Sequence, residues 1–232
     1  MISFDPVYWL FVGPGMLLAL IATIKVKMTF SKYSEVFAAS GLTGAQAARF
    51  MLERQGVFDV RIEETEGFLS DHYDPTNRTL RLSPAVYQSN SLAAIGVACH
   101  EAGHALQHAS KYPALGIRSA LVPATNIGSW GSYIFFLLGM LMQSPKMILA
   151  GVALFSLVVI FSLVTLPVEW NASARAKALM VSTGIVSAEE ERDAGRVLNA
   201  AFLTYVASAV TALLTLLYYL YRLGLLGGGR RD

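Results

Sequence analysis

Four stretches of this 232-residue chain carry no charged side chain for about the 20 residues that a helix needs to cross a bilayer, and this constrains the fold more than any other feature. They are Val7–Ile24, Ala120–Gln143, Met147–Val168 and Leu198–Tyr221. Hydrocarbon offers no partner to backbone polar groups, so each stretch is expected to be helical. The composition agrees: 54% of residues are hydrophobic and 15% charged, where a soluble domain is about a quarter charged. The expected class is a mainly α integral membrane protein. A net charge of +2 without a clustered basic face argues against nucleic acid as a partner. The single cysteine, Cys99, excludes an intrachain disulfide.

Residues 1–24 read as a membrane anchor. Asp5 stands where a signal peptide would be basic, and the apolar run meets Lys25 and Lys27 without a small-residue cleavage site. Residues 120–168 hold two spans joined by Gln143-Ser144-Pro145-Lys146, which predicts a tight antiparallel hairpin. Gly128, Ser129, Gly131 and Ser132 in the first of the two suggest close helix packing; the alternative is that this span is a buried or re-entrant helix. The fourth span and a glycine-rich tail occupy 198–232. Two polar segments remain, 25–119 and 169–197.

In the larger segment Thr43 can cap an amphipathic helix over Gly44–Gln55 that stops at Gly56. Phe58–Glu63, Phe68–Tyr73 and Arg78–Ser83 are strand candidates, the last two joined by the turn Asp74-Pro75-Thr76-Asn77. Ser83-Pro84 resembles a cap followed by proline at the first helical position. Ser91 can cap a helix to about Ser110 that opens with Leu92–Cys99, apolar all round and so expected in a core.

That helix then turns polar as His100-Glu101-Ala102-Gly103-His104, which matches H-E-x-x-H. Histidines four apart share a helical face about 6 Å apart along the axis, so both imidazoles can reach one zinc ion. Glu101 is placed to act as general base and acid, taking a proton from the attacking water and passing it to the leaving group. A catalytic zinc needs a third protein ligand. His108 lies about 12 Å along the axis from His100, too far for one straight helix to supply all three. A metzincin would need a histidine at Ser110. Cys99 is rotated about 100° away from His100. Glu169, directly after the third span, is the remaining candidate; an acidic group at the end of an apolar helix calls for a partner. It could equally be an interfacial carboxylate marking the membrane surface. Pro167 is expected to bend or end the helix there.

With these residues the chain resembles the YugP-type membrane zinc metallopeptidases, gluzincin-like and loosely similar to the HtpX/Ste24 membrane proteases. The likeness is carried by Ser40–Gly44, Asp71-His72-Tyr73-Asp74-Pro75, Leu82-Ser83, Val97–His108 and Pro167–Ser173, and spans essentially the whole chain. It implies a zinc endopeptidase with one Zn2+ per chain on His100, His104 and Glu169, in a small α+β zincin-like domain whose short hairpin lies beside the H-E-x-x-H helix. It also implies a multi-pass protein of the bacterial cytoplasmic membrane. The HtpX/Ste24 group has an aspartate four residues after its third ligand, where this chain has Ser173. Ser173, or less directly Asn171, is therefore the candidate to orient the histidines. Arg175, His72 and Tyr73 are candidates for stabilising the oxyanion. A strand beside the zinc helix could bind an extended substrate, with Phe68, Leu69, Ser70 and Asp71, or alternatively Arg78–Ser83, offering the edge.

The hairpin of spans two and three brings 25–119 and 169–197 to the same membrane face. Nine Lys and Arg near span ends, from Lys25 to Arg196, lie on that face, against Lys146, Arg222, Arg230 and Arg231 on the other. The positive-inside rule then puts the site in the cytoplasm. The expected activity is hydrolysis of unfolded or membrane-proximal protein segments, with the lipid bilayer as environment and a homo-oligomer or membrane protein partner as further associations. Two readings compete with it. A zinc-stabilised scaffold or chaperone subunit would leave Glu101 incidental. A site-2-type intramembrane protease would want an aspartate ligand in a later span, and spans two to four contain none.

Overall fold

The computed structural model of the chain describes residues 5–67 and 70–225. It is mainly helical, with seven helices and a three-stranded sheet among those residues. Four helices are long and apolar enough to cross a membrane: α1 (Pro6–Ser34), α5 (Pro113–Leu141), α6 (Pro145–Ser182) and α7 (Ala188–Arg222). α1, α6 and α7 contain their uncharged stretches whole and extend beyond them, whereas α5 begins before its stretch and stops at Leu141, two residues short of its end. Pro167 does not end its helix; α6 runs on to Ser182, so the apolar run and Glu169 belong to one continuous element. The difference is one of kind. Hydrophobicity marks the lipid-compatible segment, whereas the helix continues for as long as its polar extension finds packing.

The chain divides into two compact units. The first comprises residues 1–22, 117–166 and 204–232 and holds the most apolar lengths of the four long helices. Within it α5 and α6 are linked by only three residues, and successive meeting points run antiparallel. A Cβ at Gly128 would stand 2.7 Å from the Leu154 carbonyl oxygen, one at Gly151 2.7 Å from the Phe136 ring, and one at Gly139 2.8 Å from Ile148. The small residues of span two thus serve close approach, as expected of helices that cannot rely on a hydrophobic force to associate. Phe136 also stacks on Tyr219 of α7, with ring centroids 3.8 Å apart. Near the start of α1, Asp5 accepts hydrogen bonds from Tyr218 and Arg222.

The second unit, residues 23–116 and 167–203, carries the polar segments. Thr43 caps α2 (Gly44–Arg54) in a reciprocal capping box with Gln46. The sheet contains β1 (Arg61–Glu64), β2 (His72–Asp74) and β3 (Thr79–Leu82) in the order β1-β3-β2. The expected turn forms: Asp74 Oδ1 accepts from the backbone N–H groups of Thr76 and Asn77, and β2 returns antiparallel along β3. Arg81 and Asn77 hold the Asp74 carboxyl well below the usual carboxylate range. β1, however, pairs with β3 in parallel, which makes β3 the centre of the sheet. The suggestion that Arg78–Ser83 offers an open edge is therefore corrected, because its ladder is taken on both sides. Phe68 and Leu69 lie outside the described residues. Ser70 and Asp71 precede β2 rather than forming strand, and Asp71 accepts from the backbone N–H and the hydroxyl of Ser83. Burial pushes the Asp71 carboxyl up even against those donors. That contact also diverts the Ser83 hydroxyl, so the one-turn helix α3 (Pro84–Tyr87) has no side-chain cap.

Ser91 caps α4 (Leu92–Ala109), and its first turns fill the core with Met51, Leu52, Leu80, Leu82, Met180 and Ile185. The C-terminal part of α6 packs against α4 at very short range: a Cβ at Gly103 would meet the Ala172 carbonyl oxygen at 2.7 Å. Because that neighbour is backbone, it cannot swing aside. Gly103→Ala is expected to lower stability by about 1–3 kcal/mol. A depressed thermal unfolding midpoint of the purified protein checks this, and an unchanged midpoint would refute the contact.

Candidate metal centre

The polar half of α4 faces the stretch of α6 that follows Pro167. His100 and His104 present their rings from successive turns, with centroids 4.8 Å apart and planes nearly perpendicular. Glu169 of α6 points between them and is only 1% exposed. Its Oε2 lies 3.3 Å from Nε2 of His100 and 3.4 Å from Nε2 of His104. One donor atom from each of the three residues falls within 4.8 Å of the other two. Among the described residues this is the one group of three or more His, Cys, Asp or Glu able to hold a metal ion.

The donor set fits zinc. Ligands arranged tetrahedrally at about 2.0–2.1 Å from zinc stand about 3.3–3.4 Å from one another, which matches the two imidazole–carboxylate separations. Two neutral nitrogens and one carboxylate form the protein half of a catalytic zinc site and leave a fourth position open. A carboxylate buried to this degree also needs a positive or strongly donating partner, which a divalent cation supplies. His104 shows the same pull. Burial alone would favour its neutral form, but the Glu169 and Glu101 carboxylates and Gln107 together raise its pKa.

A chain of hydrogen bonds fixes which nitrogen of His104 faces the cluster. Arg175 Nε can only donate, and it donates to Asn171 Oδ1 at 2.9 Å. Gln107 Nε2 donates to that same oxygen at 3.0 Å and to the Val168 carbonyl at 2.8 Å. Gln107 Oε1 is then the acceptor for His104 Nδ1, 3.0 Å away. The proton sits on Nδ1, and the Nε2 lone pair is directed at the cluster. On the other histidine, Ser173 Oγ lies 3.0 Å from Nδ1 of His100; an accepting hydroxyl there gives the same tautomer. Ser173 and Asn171 thus stand behind different imidazoles, Asn171 acting through Gln107.

The remaining candidates fall elsewhere. Arg175 spends its Nε on Asn171, and its guanidinium lies 5.9 Å from the Tyr112 ring centroid. His72 is exposed, with Nδ1 2.7 Å from the Ser70 carbonyl oxygen. The Tyr73 hydroxyl lies 2.8 Å from Nδ1 of His108. Cys99 is fully buried and its thiol is pushed up by desolvation, as befits an inert core residue. Glu101 is half-buried beside the cluster. Gln107 was not singled out from the sequence. Its signal was an amide three residues after the second motif histidine, on the helical face that carries His100 and His104, and the structure buries it fully.

Gln107→Leu keeps the volume but removes the acceptor that orients His104. Zinc affinity of the purified protein, measured by competition with a chelator, is expected to fall about 10–100-fold. Equal affinity in the variant would show that the imidazole needs no such support.

Comparison with known proteins shows the family. The family model described as "Putative neutral zinc metallopeptidase" matches residues 8–224. A Bacillus subtilis (strain 168) protein named "Putative membrane protease YugP" is 50% identical over 198 residues, covering 85% of this chain and 88% of that protein. No solved structure matches the chain. With the family model covering nearly its whole length and half of the 198 aligned residues identical in that relative, the chain belongs to the family that the model describes.

Proposed function

We propose that this protein is a membrane-embedded zinc endopeptidase with one metal ion per chain, held by His100, His104 and Glu169 in a zincin-like catalytic unit. The observation that carries the reading is the spacing of Glu169 Oε2 from the two imidazole nitrogens, which suits a shared cation, beside the half-buried carboxylate of Glu101. When bound, zinc would polarise a peptide carbonyl and make water acidic enough to attack near neutral pH. The chain's own groups do the rest. Glu101, on the residue after His100, takes the proton from the attacking water and returns it to the departing amine. Gln107 and Ser173 hold the imidazoles in the tautomer that leaves Nε2 available. Gly103 lets the ligand-bearing helices approach closely enough for all three donors to meet.

Unfolded or membrane-proximal protein segments are the proposed substrates. Glu169 follows an apolar run of 22 residues within one helix, so its substrates are expected to approach from the membrane surface. The lysine and arginine bias supports a cytoplasmic site. β2 stands at one edge of the described sheet and packs near α4, which suits pairing with an extended peptide.

Glu101→Gln is expected to retain stoichiometric zinc and lose cleavage of an unfolded protein substrate by at least about 100-fold, the span of general acid–base assistance. Persistent cleavage would overturn the mechanism, and absence of cleavage by zinc-loaded wild type would favour a scaffold. Glu169→Ala is expected to lose zinc, and unchanged metal content would remove that residue from the site. Sidedness is testable in whole cells with single cysteines at Glu66 and Ser144, since buried Cys99 gives little background. A membrane-impermeant thiol reagent should label position 144 and spare position 66 until the membrane is opened. The reverse pattern would place the site outside.

A further inference from the structure

A cavity of about 360 Å3 lies one helical turn beyond the metal centre along α4. Val60, Ala105 and Ala109 give it apolar lining, while Asp59, Tyr73, Arg78, His108 and Lys111 contribute its polar lining. His108 continues the face of α4 that carries His100 and His104, about 6 Å along the axis from His104. That distance equals about two residues of extended peptide. Nδ1 of His108 is joined to the Tyr73 hydroxyl, which places the pair in a defined geometry. Arg78 is paired with Asp59, whereas Lys111 makes no ion pair among the described residues. The cavity therefore keeps an uncompensated positive charge.

The backbone supplies an independent observation. Three non-glycine residues among those described have positive φ, and two of them, Arg78 at 48° and Lys111 at 51°, line this one cavity. Lys111 occupies the left-handed position that closes α4, where its N–H meets the His108 carbonyl and the next N–H meets that of Gln107. Glycine adopts this conformation without penalty and is the usual residue there. A lysine kept at such a place points to use of its side chain.

We propose that this cavity is a subsite for an acidic residue of the substrate, its carboxylate held by Lys111 with the Tyr73–His108 pair and its aliphatic stem against Val60 and Ala109. The subsite rests on the peptidase reading above and adds a preference for glutamate or aspartate about two residues from the scissile bond.

The test uses the full chain, zinc-loaded in detergent micelles. Decapeptides of Ala, Val and Gly carry one Glu at a scanned position, each matched by a peptide with Gln there. The expected result is about a fivefold higher kcat/KM for Glu at one position and near-equal values elsewhere, the scale of an exposed charge pair. The preference should shrink as salt is added. Lys111→Glu should invert the ratio at that position. Lys111→Gly should bring it to one without lowering the thermal midpoint, which separates loss of the charge from loss of the fold. Equal handling of Glu and Gln at every position, or a preference that survives Lys111→Glu, overturns the subsite. Binding of the same labelled peptides to Glu101→Gln, read by fluorescence anisotropy, distinguishes the two readings. A Glu preference in binding without cleavage by wild type removes the peptidase and keeps the subsite, whereas cleavage with no preference removes the subsite alone.

Discussion

The candidate metal centre depends on a carboxylate kept out of water between two imidazoles. A glutamate that is 1% exposed would be strongly unfavourable without compensation, and a cation shared with the Nε2 atoms at 3.3 and 3.4 Å would supply it. That arrangement requires α4 and α6 to lie nearly in backbone contact. Gly103 opposite Ala172 makes this possible, since no side chain separates the helices there. The all-apolar opening of α4 then secures the helix in the core, so its polar half is presented rather than merely exposed.

Around that pair the polar groups are arranged in series. Arginine can only donate, asparagine and glutamine relay that constraint, and the histidine receives it as a fixed tautomer. The group that would have been the simplest orienter, an acid four residues after Glu169, is a serine here, and it reaches the other histidine. Each imidazole is thus supported by a neutral side chain. Among the described residues, neutral supports leave Glu169 as the one carboxylate close to the histidines' inner nitrogens. The negative charge is concentrated where a cation would bind.

The sequence was most informative where a local rule acts alone. Absence of charge marked the four long apolar helices, Thr43 and Ser91 marked helix starts, Asp74 marked the turn, and a four-residue spacing put His100 and His104 on one face. It was least informative where the outcome depends on tertiary partners. The extension of α1 to Ser34 follows from Phe30 and Tyr33 finding a core to enter. The continuation of α6 through Pro167 and the parallel pairing of β1 with β3 likewise have no local signature. The Val168 carbonyl that receives Gln107 is backbone and leaves no mark in side-chain pattern at all.

One consequence of the unbroken α6 concerns errors in its length. A residue added or deleted between Glu169 and Ala172 would still leave a good helix, yet it would swing Glu169 about 100° around the axis and shift it about 1.5 Å relative to the contact that Ala172 makes with Gly103. Helix propensity would tolerate the change and the histidines would not. This short stretch is therefore tied to its residue count, as a gear is to its number of teeth.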